Sequence, residues 1–293
     1  MPPNPGSAST IRFNEDGTCL VNIGGVDMGQ GTLTIAAQLA AEGLGIPITD
    51  VRVNTVDTDY SPYEWQTVAS RLTWSMGNAI ISAARDARRQ VLELVAKAWE
   101  EAIDDLNIVN GVVVSYKSEK EISLKNLVIY GLPKPDDQGW HGGPIIGRGN
   151  FMPTYVTGLD PETGQVTLLR YTAVQDVGKA IHPGLVEGQM EGGTVQGIGW
   201  ALYEGYQYDE RGHLLNPSFL DYQIPTAADV PSIETVIVEV PYPHHPYGAR
   251  GVGEVPIMPP PAAIANAIYR ATGRRVCQLP MTPARILESM GAL

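Results

Sequence analysis

The amino-acid sequence predicts an α+β fold of mixed sheets and helices. Long segments with apolar residues at helical spacing indicate helices, and short segments that alternate apolar and polar residues indicate strands. The two kinds of segment mingle along the chain, without the strict strand–helix alternation of a parallel sheet. With 293 residues, of which 43% are hydrophobic and 18% charged, the chain is long enough for one large domain or two interleaved domains.

The first half is predicted to contain two hairpins, two helices and a single strand. The longer helix has an apolar face that includes Ile80, Ala84 and Val91, and its arginines are expected outside. Glycines and a proline after residue 42 stop the shorter helix. The predicted elements are a hairpin over 11–14 and 18–24, a helix from Thr32 to Gly43, a strand over 51–56, a helix from Ser75 to Ile103, and a hairpin over 112–116 and 120–124.

The second half begins after a segment rich in proline and glycine, residues 132–150, which is the best candidate for a boundary. We therefore expect two subdomains, 1–131 and 132–293. The elements predicted after the boundary are strands over 154–158 and 165–174, a glycine-rich helix over 184–203, a small hairpin over 206–215, a strand over 233–240, and helices over 258–271 and 282–290.

Composition excludes several classes of protein. A net charge of −12 argues against nucleic acid and anionic membranes as partners, because either would favour a basic face. Cys19 and Cys277 are the only cysteines, and neither has a second cysteine or a histidine nearby in sequence, so no protein-ligated metal is expected. No apolar run is long enough for a membrane span, and no signal peptide is visible, so we expect a cytoplasmic protein.

Glycines gather in short clusters, and the first cluster of interest is Met28-Gly29-Gln30-Gly31. It lies between a predicted strand and a predicted helix, whose first backbone N–H groups have no partner within the helix. Glycine lets a phosphate or an extended cofactor approach the backbone closely, and Gln30 offers an amide donor and acceptor. A glycine-rich turn without any ligand is the alternative, and the local pattern favours it.

Two further segments combine small and polar residues. Gln66–Arg71 has hydroxyls suited to binding a ligand closely, but Ser70 and Ser75 are also plausible helix caps, and local pattern favours capping. The helix around Gln189 contains several glycines, which close packing against another helix explains. Packing does not explain Gln189 and Gln196, which are polar in a stretch otherwise suited to burial.

Glu254 follows three glycines and precedes an apolar, proline-rich stretch. A carboxylate among apolar residues has a raised pKa, which suits a general base near neutral pH. A salt bridge with Arg250, or a capping role at the next helix, explains the position equally well. Among the histidines, His182 is expected to start a helix, and His244-His245 to lie in a loop.

In this order and spacing, the segments resemble the C-terminal part of the molybdenum-binding subunit of the xanthine dehydrogenase and aldehyde oxidoreductase family. The resemblance runs through nearly the whole chain, and the residues around Ala69 and Asn78 look closest to bacterial enzymes acting on hydroxybenzoyl thioesters and N-heterocycles. The matching strings are Gly24–Gly31, Val68–Arg71 with Met76–Ala79, Gly147–Gly149, Asp176–Gly193 and Gly251–Glu254.

The resemblance implies roles for individual residues. Glu254 matches the catalytic glutamate, which accepts a proton while an electron-poor carbon is hydroxylated with oxygen from water. Gln189 is expected to hydrogen-bond the pterin, and Ala69 and Ser70 to lie against the pterin or its pyrophosphate. The complete set of residues expected to bind the cofactor is Met28, Gly29, Gln30, Gly31, Ala69, Ser70, Arg71, Gln189 and Gly253.

The resemblance also implies a cofactor and partners. Molybdenum would be held by the pterin, expected as molybdopterin cytosine dinucleotide, and not by protein side chains. The family's intact subunit is more than twice as long, so we expect a split subunit whose other half is a separate polypeptide, with a truncated form of the longer subunit as the alternative. Further partner subunits would carry [2Fe–2S] clusters and FAD, and the substrate would be a small molecule. A cofactor-binding scaffold subunit without catalysis is the alternative.

Overall fold

The computed structural model describes residues 6–14, 16–128 and 154–292. The predicted irregular segment 132–150, with its proposed boundary and the Gly147–Gly149 string, lies outside the described residues. The chain divides into two compact units, residues 1–147 with 241–251 and residues 148–240 with 252–293. The chain therefore passes from the first unit to the second between Gly251 and Val252, three residues before Glu254.

The first unit contains two small sheets and three helices in its described part. In the first sheet, β1 pairs antiparallel with β2, which pairs in parallel with β3. The second sheet, β4–β5–β6, is antiparallel. The elements are β1 (Ser9–Phe13), β2 (Cys19–Ile23), α1 (Thr32–Leu44), β3 (Val51–Val53), α2 (Leu72–Trp99), β4 (Leu106–Val109), β5 (Val112–Ser115), β6 (Glu121–Ser123) and α3 (Leu124–Val128).

The core of the first unit lies between α1 and α2, whose apolar faces follow the predicted spacing. Leu39 and Ile80 are among its fully buried side chains. Gly43 permits the close approach of the helices, because a Cβ at this position would lie 2.8 Å from the Cβ of Ala84. Arg88 is half-buried, contrary to the prediction, because its guanidinium donates to the carbonyl oxygens of Leu44 (3.0 Å) and Ile108 (3.3 Å).

The second unit contains one sheet and three helices in its described part. β8 lies in the centre, antiparallel to β7 and parallel to β9. Ile198, Ile264, Ile268 and Ile286 from the three helices form much of a single buried cluster. The elements are β7 (Thr154–Leu159), β8 (Val166–Asp176), α4 (Pro183–Leu202), β9 (Ser232–Val238), α5 (Pro259–Thr272) and α6 (Pro283–Met290).

Mixed sheets and helices confirm the predicted α+β class. Some boundaries were wrong: α2 begins at Leu72 instead of Ser75, and the strand predicted over 51–56 ends at Val53. β4 was not predicted, and the small hairpin over 206–215 is reduced to one bridge between Tyr208 and Leu214. None of the described helices combines the length and hydropathy that a membrane crossing needs.

Candidate functional site

The loop between β2 and α1 carries the first predicted ligand-binding residues, and Asp27 organises it. One carboxylate oxygen of Asp27 accepts from the N–H groups of Gly29 (2.9 Å) and Gly31 (3.3 Å). The other oxygen accepts from Leu33 N–H at 3.1 Å, inside the first turn of α1. The carboxylate of Asp27 thus satisfies backbone N–H groups that have no partner within the helix.

The pKa of Asp27 reflects this position. Partial burial acts to raise it, but hydrogen bonds from the backbone N–H groups of Gly29, Leu33 and Gly31 outweigh burial, and the pKa lies below its usual value. Asp27 is therefore ionised at neutral pH and stabilises the positive end of α1.

The side chain of Gln30 also holds the loop together. Its Nε2 donates to Val26 O (2.9 Å) and to Thr32 Oγ1 (2.7 Å), and its Oε1 accepts from Met28 N–H (2.6 Å). Both amide hydrogens are thus used inside the loop. The outer edge of the loop is formed by Met28, which is 71% exposed, and by Gly29, whose missing Cβ faces open space.

The second predicted segment, Gln66–Arg71, lies beside this loop. Thr67 Oγ1 accepts from Val26 N–H (3.0 Å) and donates to Val26 O (3.2 Å). Ala69 and Ser70 have left-handed backbone conformations, with φ of 57° and 51°. Non-glycine residues adopt this conformation rarely, and its strain is concentrated at functional sites in many proteins.

The serines of this segment do not cap α2, so the expectation of capping was wrong. Arg71 occupies the N-cap position, and Ser75 lies inside the helix, where its hydroxyl donates to Arg71 O at 3.2 Å. Ser75 lies inside the helix because α2 begins three residues earlier than its apolar pattern suggested, and Ser70 lies one residue before the cap.

The Arg71 side chain lies in a buried ion pair with Glu64, which sequence reasoning missed. The two side chains are 4% and 2% exposed, and Nη1 of Arg71 lies 2.5 Å from Oε1 of Glu64. The guanidinium also donates to Gln66 O (2.8 Å) and Ser7 Oγ (3.1 Å) and lies over the ring of Trp65. These contacts fix both ends of the Gln66–Arg71 segment.

The last stretch of the first unit, Pro241–Gly251, contacts the Gln66–Arg71 segment. A Cβ on Gly251 would lie 2.6 Å from Ser70 O, so only glycine allows this approach. His245 lies in a loop as predicted, but it is 3% exposed, and its Nδ1 accepts from the N–H groups of Tyr247 and Ala249, both at 3.2 Å. Burial lowers the pKa of His245 to about 4, so the ring is neutral at pH 7.

Three predicted segments therefore meet in the first unit, although they are far apart in sequence. The β2–α1 loop contacts the Gln66–Arg71 segment through Val26 and Thr67, and that segment contacts Gly251 through Ser70. Their meeting surface combines glycine backbone, an exposed methionine and two left-handed residues.

In the second unit, Glu254 stands immediately before the 3-10 turn Val255–Ile257, which packs on the glycine face of α4. A Cβ on Gly193 would lie 2.8 Å from Pro256 Cβ, and one on Gly197 would lie 2.5 Å from Ile257 O. Gln189 lies on the same face, one turn before Gly193, because residues four apart share a helix face. Close packing thus explains Gly193 and Gly197, although the partner is mainly a 3-10 turn, while Gly188 and Gly192 face open space. Gln196 is exposed, contrary to expectation.

The backbone around Glu254 is held firmly, while its side chain is exposed in this chain. Gln175 on β8 is fully buried and donates to Val252 O at 3.4 Å. Glu254 makes no side-chain capping bond to the turn that follows, and Met258 occupies the N-cap of α5, so the capping alternative was wrong. The two residues that follow closely on it, Pro256 and Ile257, pack on the glycine face of α4.

His182 is the N-cap of α4, as predicted, and its Nδ1 accepts from Leu185 N–H at 3.2 Å. Across the part of the chain that the structure describes, no group of three or more His, Cys, Asp or Glu side chains could hold a metal ion.

Comparison with known proteins identifies the family. The family model of the molybdopterin cofactor-binding domain matches residues 1–231. This chain belongs to that family. The resemblance inferred from the sequence is thereby confirmed.

Relatives of this molybdopterin-binding chain are oxidoreductases by name. The putative xanthine dehydrogenase molybdenum-binding subunit of Escherichia coli K12 is 35% identical over 96% of this chain and 39% of its own length. The nicotine 6-hydroxylase large subunit of Paenarthrobacter nicotinovorans is 30% identical over 96% of this chain and 36% of its own length. The chain thus spans less than half the length of these relatives.

Solved structures of molybdenum-family enzymes share the fold. Quinoline 2-oxidoreductase from Pseudomonas putida 86 matches with a TM-score of 0.86 and 29% identity over 98% of this chain and 38% of the other. Reconstituted CO dehydrogenase from Oligotropha carboxidovorans matches with a TM-score of 0.88 and 29% identity over the same shares.

Proposed function

We propose that this chain forms part of the molybdenum–pterin site of a hydroxylase and supplies its general base, Glu254. The substrate would be a small molecule with an electron-poor carbon: an N-heterocycle, a purine, an aldehyde or an aromatic thioester. The observation that carries the proposal is the meeting of the β2–α1 loop, the Gln66–Arg71 segment and Gly251 in one unit, three residues before Glu254.

The meeting surface fits an extended cofactor. Gly29 leaves open space beside its backbone, and Met28 projects from the loop, so Met28, Gly29 and Gly31 would contact the pterin or its nucleotide. Ala69 and Ser70 would present their left-handed backbone to a phosphate or to the pterin. A loop already fixed by its own hydrogen bonds loses little freedom when it binds a ligand.

Gln30 and Arg71 would act mainly by positioning. The amide of Gln30 and the guanidinium of Arg71 are bonded to their own loops, so their first effect is to fix the residues that reach the cofactor. Gln189 is half-buried on the glycine face of α4 and offers an amide to a ligand, while Gly253 gives the cofactor room beside Glu254.

Glu254 would act as the base. The cofactor, when bound, supplies the molybdenum at which the substrate carbon is oxidised. The carboxylate of Glu254 would accept the proton released in that reaction, which requires a fixed position within hydrogen-bond reach. Packing of Pro256 on Gly193 and the bond from Gln175 to Val252 provide a fixed position for the backbone.

The remaining parts of the enzyme would come from other polypeptide. We propose molybdopterin cytosine dinucleotide as the form of the cofactor, the rest of the large subunit as the nearest partner, and [2Fe–2S] and FAD subunits as the route for electrons. A cytoplasmic location is the natural one for such an assembly. Support comes from the names of the relatives, which include large subunits and subunits of dehydrogenase complexes.

The test replaces Glu254 with Gln in the complex purified with its partners, with Glu162→Gln as the control, because Glu162 is an exposed glutamate in the turn between β7 and β8. We expect turnover to fall at least about 100-fold in Glu254→Gln while molybdenum content stays at the wild-type level. The control should keep full turnover. Full turnover in Glu254→Gln with molybdenum bound would instead assign the chain to cofactor binding without catalysis.

A further inference from the structure

The second unit exposes an apolar segment that the proposed site does not use. Residues 203–231 join α4 to β9 without forming a helix or a strand. Irregular connections of this length are uncommon in compact domains, and they are usually functional or disordered. The exposed large side chains of this segment are Tyr206, Tyr208, Leu215, Phe219, Leu220 and Ile224.

The segment is held in a defined conformation by hydrogen bonds of its own. The buried amide of Asn216 accepts from Gln207 N–H (2.9 Å) and donates to Gly205 O (2.8 Å). Tyr222 donates from its hydroxyl to Glu204 at 3.2 Å, and its ring lies 5.2 Å from that of Tyr206. The apolar side chains are therefore presented to solvent by a fixed backbone.

Phe219 and Leu220 stand at the tip of a tight turn. Ser218 and Asp221 close it: Ser218 Oγ donates to Asp221 Oδ2 at 2.6 Å, and Asp221 N–H donates to Ser218 O at 3.1 Å. Phe219 is 99% exposed and Leu220 is 88% exposed. Large apolar side chains held rigidly in water are typical of the anchors of a protein interface.

We infer that residues 203–231 form a docking surface for the part of the large subunit that this chain lacks, with Phe219 and Leu220 as its anchors. About three fifths of the length of these relatives lies outside the part that matches this chain, since the matched part is 39% and 36% of their length. That polypeptide has to pack against this chain if the two complete one site. Only the identity of the partner in this inference rests on the proposed function.

The negative charge of this segment favours this partner over a second copy of the chain and over an anionic membrane. The segment contains five carboxylates, on Glu204, Asp209, Glu210, Asp221 and Asp229, and one arginine. A second copy of the chain would bring the same acidic surface, and an anionic membrane would repel it. The partner surface should thus offer an apolar pocket with basic residues at its rim.

The experiment measures binding between this full chain and the polypeptide that completes the large subunit, produced separately, by sedimentation and by titration. We expect the double variant Phe219→Ala/Leu220→Ala to bind at least about 30-fold more weakly, as for the loss of an interface anchor. Leu169→Ala is the matched control, because Leu169 is an exposed leucine on β8 of the same unit, and it should change binding less than about threefold.

The outcomes separate the docking surface from the proposed function. Both variants should keep the wild-type melting temperature, because the replaced side chains are exposed. Equal binding by the double variant and the wild type, or no binding by the wild type, would overturn the inference. Self-association of the wild type that the double variant abolishes would assign the surface to a second copy, which also overturns it. Weakened binding together with a wild-type complex that lacks molybdenum would support docking and refute the proposed function.

Discussion

Gly193 lies where α4 meets the turn that follows Glu254, so replacing it tests how this turn is held. An added Cβ would lie 2.8 Å from Pro256 Cβ and 3.2 Å from its Cγ, whereas carbon atoms in contact prefer about 3.5–4.0 Å. Relieving the overlap requires a shift of about 1 Å in Pro256 or in α4, and overpacking of this kind costs about 1–3 kcal/mol.

Gly192 provides a matched control in the same helix, because nothing lies within 4 Å of its added Cβ. Both substitutions gain the same helix propensity, about 1 kcal/mol for alanine over glycine. We therefore expect Gly192→Ala to raise the free energy of unfolding by about 0.5–1 kcal/mol. The free energy of unfolding of Gly193→Ala should be about 1–3 kcal/mol lower than that of Gly192→Ala.

Urea unfolding followed by tryptophan fluorescence, to which Trp200 in α4 contributes, measures this difference. In the assembled enzyme, Gly193→Ala should also lower turnover with molybdenum retained, because a shift of Pro256 moves the backbone of Glu254. Equal stability of the two alanine variants would refute the packing argument.

Two further predictions concern buried charge in the first unit. Glu64→Gln leaves the Arg71 guanidinium buried without its counterion, so the free energy of unfolding should fall by about 3–5 kcal/mol. Glu93→Gln breaks the exposed Arg89–Glu93 pair and should lower it by less than about 0.5 kcal/mol. Equal effects of the two variants in denaturant titrations would contradict the role of burial. The pKa of His245 is about 4 in the folded chain and 6.5 for the ordinary side chain, so as pH falls the unfolded chain takes up this proton before the folded chain does. The free energy of unfolding should therefore be highest above pH 6.5 and decrease towards pH 4, by about 2 kcal/mol at pH 5. His245→Asn should reduce this pH dependence in thermal melts.

Local patterns in the sequence predicted most elements of the fold. The helices α1, α2 and α4 carry apolar residues or glycines at helical spacing, and tertiary packing agrees with that spacing. β4 was missed because its four residues, Leu106–Val109, follow directly on a short 3-10 turn and are too few to show alternation.

The site was only partly readable, because its contacts join distant residues. The hydroxyl of Thr67 bonds to Val26, and the carbonyl of Ser70 lies against Gly251, and no periodicity predicts such pairs. The left-handed conformation of Ala69 was not predicted either, because glycine is the usual sequence signal for this conformation and Ala69 is not a glycine. Gln175 follows the apolar pair Ala173-Val174 in β8, and a polar residue next to these two was a local signal that could have been noticed.

Asp27 has a structural role in the β2–α1 loop that was not predicted from the sequence. The glycines around Gln30 left open a ligand-binding turn or a turn without a ligand, and the carboxylate two residues before Gly29 accepts the N–H groups of Gly29 and Gly31. Asp27 lies four residues before the N-cap Gly31, outside the usual capping position, so the local sequence pattern did not reveal this role. The loop is therefore fixed by its own hydrogen bonds, and Met28 and Gly29 form its outer edge.

Quantification of molybdenum and pterin in the purified complex tests the central claim most directly. We predict about one molybdenum and one pterin for each copy of this chain, retained in Glu254→Gln although its turnover is lost. A complex that is fully assembled and active but contains neither molybdenum nor pterin would contradict the account.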